Sequence, residues 1–165
     1  MRYEVTHSQI AYFEKNRTIL FEDFFPIIET LAIQKYKMGL DLWRKHPEVK
    51  KMACHRELGT ILFQLTSVRP IRFLFDQVVE NETVDLTQSS FQSIFAGVLV
   101  LPSSIIIFSA ELPMIIEERA LLFAYGGLDA VFTFKENDPF TPKVKKQGYT
   151  YGDVLSSDDY PLIYR

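Results

Sequence analysis

Apolar residues recur along this chain at a helical period in two places. After Pro70, residues Ile71, Leu74, Phe75, Val78 and Val79 fall at i, i+3, i+4, i+7 and i+8, with Arg72, Asp76, Gln77 and Glu80 facing away. That is the spacing of one apolar face of an amphipathic helix. Phe91, Ile94, Phe95, Val98 and Leu99 repeat it, with Ser89 or Ser90 placed as N-cap and Pro102 as terminator. Upstream, Ile33, Tyr36, Leu40 and Trp43 alternate three- and four-residue steps between Phe25 and His46, and a further helix is expected from Pro47 to Thr66. Pro26, Pro47, Pro70 and Pro113 each precede such a segment, where a first helical turn tolerates a missing N–H.

The texture changes at Ile105-Ile106-Ile107-Phe108, a short β-branched run of the kind that forms a fully buried strand. Leu112 to Tyr125 reads as a helix closed by Gly126-Gly127, and Leu128 to Phe134 as a second strand. Strand, helix and strand in this order make a βαβ unit with parallel strands. The competing arrangement, a hairpin pairing residues 98–101 with 105–108 around Pro102-Ser103-Ser104, is set aside because residues 91–99 carry the helical spacing. From Lys135 onward Pro139, Pro142, Gly148, Gly152 and Pro161 break any period, which predicts a loop-rich C-terminal tail. The expected fold class is therefore α+β: a helical N-terminal half packed on a small sheet with strands near 105–109 and 128–134, in a single domain spanning residues 1–165.

Composition supports a self-sufficient core. With 165 residues and 47% hydrophobic content, the chain lies far from the composition of disordered segments, and a chain of this size buries roughly 70% of its unfolded surface. The single cysteine, Cys54, excludes an internal disulfide and a structural zinc site. Polar and acidic residues in Met1–Gln9 are unlike a secretory leader. Leu86 to Ala110 carries no charge, but Gln88, Ser89, Ser90, Gln92 and Ser93 fill its first third, Pro102 interrupts it, and its flanks, Asp85 and Glu111, are acidic. A membrane span is not expected, and the protein is placed in the cytoplasm.

The sequence holds no G-x-S-x-G, G-x-x-x-x-G-K, G-x-G-x-x-G or H-E-x-x-H motif. Cys54 and His55 are adjacent, and neighbours on a helix point about 100° apart, too far to act as nucleophile and base. His7 and His46 stand alone. Glu111 after the first expected strand, and Glu136 and Asp138 after the second, would gather beside Lys135 at one sheet edge, as ligands for Mg²⁺ or Mn²⁺ in a small hydrolase or nuclease.

Charge is unevenly divided. Residues 1–72 hold 12 Lys/Arg and 8 Asp/Glu, net +4, whereas residues 73–165 hold 6 and 13, net −7. A concentrated acidic face steers basic partners. The preferred functional reading is thus a protein-binding module of the inhibitor or immunity type, occupying another protein's basic surface without a cofactor. Its candidate binding residues are Glu80, Glu82, Glu117, Glu118, Tyr149 and Tyr151; the metal-dependent hydrolase is the alternative. The pI of about 5.6 argues against nucleic acid as partner. Opposite poles permit self-association.

Overall fold

A computed structural model of the chain describes residues 4–135 and 137–165. Ile71–Val79, the segment with the clearest helical spacing, is its longest strand. In chain order the elements are α1 (His7–Asn16), β1 (Thr18–Glu22), α2 (Ile27–Ile33), α3 (Pro47–Ala53), α4 (Arg56–Thr66), β2 (Ile71–Val79), β3 (Glu82–Val84), β4 (Ile94–Val100), β5 (Ser104–Ser109), β6 (Met114–Ile116), β7 (Ala120–Gly126), α5 (Thr141–Lys146) and β8 (Leu162–Tyr164). Six strands form a curled sheet in the order β1-β5-β4-β7-β2-β8, and β3 pairs with β6 in a separate two-stranded sheet. Every ladder is antiparallel.

The expected α+β fold with a parallel βαβ unit is therefore corrected to a sheet-dominated architecture. The reason lies in burial. Ile71 to Asp76 are all buried, so β2 is covered on both sides and its apolar residues do not alternate. A register shift between Phe73 and Phe75 places the extra residue, Leu74, on the same side as Phe75, and this bulge mimics helical spacing. β4 and β7 are likewise buried on both sides along most of their length, which is why residues 91–99 and 120–125 also read as helix. The hairpin that the helical spacing argued against is present: Val100 faces Ile105 across the turn at Pro102. Residues 105–109 do form a strand, within β5, whereas in 128–134 only Val131 and Phe132 make isolated bridges.

A sheet with two apolar faces needs two covers. Helices α1 to α4 supply one, packing Phe13, Trp43, Leu58, Ile61 and Leu62 on Phe73, Val98, Ile107 and Phe123. The Tyr125 hydroxyl crosses this layer to donate to the Ala53 carbonyl at 2.7 Å. The other face, with Leu74, Phe75, Leu99, Phe108 and Leu122, is covered by Val84, Phe91, Phe132, Phe140 and Tyr160 from the smaller sheet, connections and tail. Gly97 makes room there, because a Cβ at this position would lie 2.3 Å from the Phe108 ring.

Two charges are buried in β2, one aimed at each cover. The Asp76 carboxylate faces the helices and accepts the Leu42 and Trp43 N–H groups at 2.8 Å each, holding the 3-10 turn Leu42–Arg44 against the sheet. Arg72 faces the other way and donates from Nη1 to the Tyr160 carbonyl at 2.7 Å, fastening the tail. Its Nε has no protein partner, and burial lowers its pKa. Burial pushes the Asp76 carboxyl up to about 6, against the pull of the Trp43 and Leu42 N–H groups, with Asp41 raising it further and Lys143 lowering it.

Two outcomes are expected. Phe75→Ala should cost about 3–5 kcal/mol in urea unfolding, since the ring is buried between Phe91 and Phe140. Because the folded pKa of Asp76 lies above its unfolded value, its contribution is complete below the unfolded pKa, about pH 4, and is lost as pH rises through about 6. From pH 7.5 down to 4, the stability of the wild type relative to Asp76→Asn should grow by an amount on the order of 3 kcal/mol. Parallel pH profiles for the two proteins would contradict this assignment.

Candidate functional site

Between the two sheets lies a cleft of about 380 Å³, within the size range of small-molecule sites. Phe75 and Gln77 of β2 and Leu122 of β7 form its floor, and Thr83 and Val84 of β3 one wall. The rim is made by two connections, Asp85–Ser89 and Asn137–Phe140. Each is shaped by an aspartate. Asp85 accepts the Thr87 N–H at 3.0 Å and starts a 3-10 turn at Leu86–Gln88. Asp138 accepts the Phe140 N–H at 2.9 Å with one oxygen and the Ser90 N–H with the other, tying the two rim segments together. Below the floor Phe75 and Phe140 lie 4.3 Å apart and Phe91 contacts Tyr160 at 5.6 Å, so rings close off the deeper interior.

The electrostatics of the cleft have one sign. Glu82, Asp85 and Asp138 line it, and among the described residues no lysine, arginine or histidine does. Gln77, half-buried at the floor, makes no side-chain hydrogen bond to the described protein, leaving an amide donor and acceptor free for a ligand. Sequence reasoning missed Gln77. Its signal was a polar residue inside an apolar run that had been assigned to the outer face of a helix.

The structure gathers some of the sequence-predicted residues and scatters others. Glu80, Glu82, Glu117 and Glu118 are all exposed and meet at one end of the molecule, where Glu82 pairs with Ile116 across β3 and β6 and Arg119 Nε lies 3.2 Å from Glu80. Tyr149 and Tyr151 lie in the tail instead. The Tyr149 hydroxyl donates to Asp159 at 2.7 Å, and Tyr151 packs on Phe132 beneath the Lys145 ammonium. Glu111 follows β5, is exposed, and lines with Lys135 a separate pocket that shares Leu86 and Ser89 with the cleft; Glu136 lies outside the described residues. Among the described residues no group of three His, Cys, Asp or Glu side chains is arranged to hold a metal.

All three histidines belong to the helical cover, on the side of the sheet opposite the cleft. His7 opens α1, His46 precedes α3 and stacks on Tyr36, and His55 precedes α4 with its ring against Phe24 and Phe25. Cys54 is half-buried, and burial pushes its thiol up to about 11, so it is no nucleophile at neutral pH. No helix of the described residues is long and apolar enough to cross a membrane, and the charge-free stretch 86–110 is mostly the β4–β5 hairpin.

No protein-family model matches this chain, and no curated protein matches it. Solved structures do. The non-heme alpha-ketoglutarate-dependent carbocyclase SnoK from nogalamycin biosynthesis superposes with a TM-score of 0.72 at 12% identity, over 96% of this chain and 96% of its own. The epimerase SnoN of the same biosynthesis gives 0.71 at 11% identity, over 94% and 97%. CT296 from Chlamydia trachomatis gives 0.60 at 18% identity, over 76% and 97%. At these identities the likeness is one of fold: a curled, jelly-roll-like sheet of the cupin type. The expected inhibitor-type module is corrected with the fold, because the body is a curled sheet like those of SnoN and SnoK and not a helical half presenting an acidic face.

The non-heme, alpha-ketoglutarate-dependent chemistry of SnoN and SnoK does not fit the described residues of the cleft. A non-heme iron site of the common kind takes two histidines and one carboxylate on one face, and here the carboxylates of the cleft have no histidine on their side of the sheet. Alpha-ketoglutarate is a dianion, and an all-acidic rim opposes it.

Asp138→Ala should lower stability by about 1–3 kcal/mol in urea unfolding, because it orphans two rim N–H groups. Glu82→Ala, an exposed wall residue, should stay within about 0.5 kcal/mol of the wild type. Equal losses would mean that the rim is not held by Asp138.

Proposed function

We propose that this protein holds a small organic molecule in the cleft between its two sheets and does so without iron. The carrying observation is that both sheets contribute to one cavity of about 380 Å³ with an apolar floor and the unpartnered Gln77 amide. Such a combination of apolar area and a few polar groups is the general form of a ligand site. A protein of similar fold, SnoN, was crystallised with Fe³⁺, alpha-ketoglutarate and nogalamycin RO, so this scaffold can hold small molecules.

The chemistry of the ligand follows from the lining. Three carboxylates at the rim and no cation favour a neutral, hydroxyl-rich molecule or an amine over an anion. Phe75 and Leu122 would take its apolar face, and Gln77 would bond a hydroxyl or amine. Glu82 lies at the mouth, where it attracts but does not enclose. No iron-dependent step is assigned to this chain.

A thermal-shift screen of neutral polyols, aromatic glycosides and amines tests this reading, with Fe(II) plus alpha-ketoglutarate as the competing ligand set. A ligand at one hundred times its Kd stabilises by about 2.7 kcal/mol, a shift of a few degrees for a chain of this size. Hits should vanish in Gln77→Trp, which fills the floor, while Fe(II) and alpha-ketoglutarate produce no shift. Stabilisation by alpha-ketoglutarate that depends on Fe(II), or hits indifferent to Gln77→Trp, would refute the proposal.

A further inference from the structure

A second cavity, of about 240 Å³, lies on the opposite side of the sheet, where α2 bridges the ends of β2, β4 and β7. Ile33, Val78, Val100 and Leu121 form its apolar walls. Of the polar side chains lining it besides Arg119, Gln34 makes no side-chain hydrogen bond to the described protein, and the other two are engaged. The Thr30 hydroxyl donates to the Pro102 carbonyl at 2.7 Å, and the Tyr36 hydroxyl donates to Glu48, whose carboxyl is held down at about 2 by the Tyr36 and Lys35 hydrogen bonds and its own backbone N–H. An apolar cavity of about 150 Å³ already binds benzene.

Among the described residues Arg119 is the one charged side chain that lines the mouth, and it is paired at 3.2 Å with Glu80, in a part-exposed pair beside Glu82, Glu117 and Glu118. Pairs of this kind hold weakly and exchange readily. We infer that this cavity is a binding site for an amphiphilic monoanion, a short acyl or aryl chain inserted between Ile33, Val78 and Val100 with its carboxylate on Arg119. The volume corresponds to about eight carbon- or water-sized units at roughly 30 Å³ each. This site is separate from the inter-sheet cleft, differs from it in the sign of its charge, and does not depend on the reading given there.

Calorimetric titration of the full chain with octanoate, 1-octanol and octylammonium tests the inference. Octanoate should bind tightest and octylammonium weakest. Arg119→Gln should weaken octanoate roughly tenfold and leave octanol unchanged, as expected when a charge-assisted hydrogen bond is lost. Glu80→Gln should tighten octanoate, since it releases Arg119 from its competitor. Val78→Phe, which fills the cavity, should remove binding of all three. In the wild type, methyl resonances of Ile33 and Val100 should move on octanoate addition, a readout that survives if Val78→Phe does not fold. Equal affinity for octanoate and octylammonium, or methyl shifts at Leu122 in place of Ile33 and Val100, would overturn the assignment.

Discussion

A central strand that is apolar on both faces sets the problem that the rest of this molecule solves. β2 lies between β7 and β8 and sends Phe73 to one side and Leu74 and Phe75 to the other, so neither face can be left to water. Burying a side chain such as Phe stabilises by about 1.5–3 kcal/mol, and the sheet presents many on each face. The helices answer for one face and the smaller sheet, connections and tail for the other. Both cavities follow from the same requirement, because each lies where a cover meets the end or edge of the sheet and does not quite close.

The buried charges of β2 act as fasteners for these covers. Asp76 ties the 3-10 turn before α3 to the sheet, and Arg72 ties the tail through the Tyr160 carbonyl. Each costs desolvation, which is why the Asp76 carboxyl is pushed up and the Arg72 guanidinium down. What they supply is position. A cover held only by apolar contact could slide, whereas a carboxylate receiving two adjacent N–H groups defines one register for the turn it holds.

The two faces also carry different chemistry. Towards the helices lie the histidines and the Glu48–Tyr36–Lys35 cluster; towards the smaller sheet lie Glu82, Asp85 and Asp138 around Gln77. The sheet separates the histidines from the carboxylates of the cleft. The fold is shared with the non-heme enzymes SnoN and SnoK, but among the described residues no mixed set of metal-ligating side chains is brought together, a difference that arises from where side chains fall on the scaffold.

From its residues alone the chain determined a good deal. Its apolar content required a sizeable core, Ile105 to Phe108 carried the β-branched signal of a buried strand, and Pro47 and the residues after it announced a helix that begins there. Acids at 80, 82, 117 and 118 had to be exposed, and they are. Tertiary structure decided the rest. Period distinguishes helix from strand only when one face is wet; with both faces of β2, β4 and β7 covered, Ile71 to Val79 obeyed the helical spacing and formed a strand. The cleft was illegible for a related reason. Gln77, Asp85 and Asp138 come from three separate segments, and only the folding of the smaller sheet over the larger brings them to one opening.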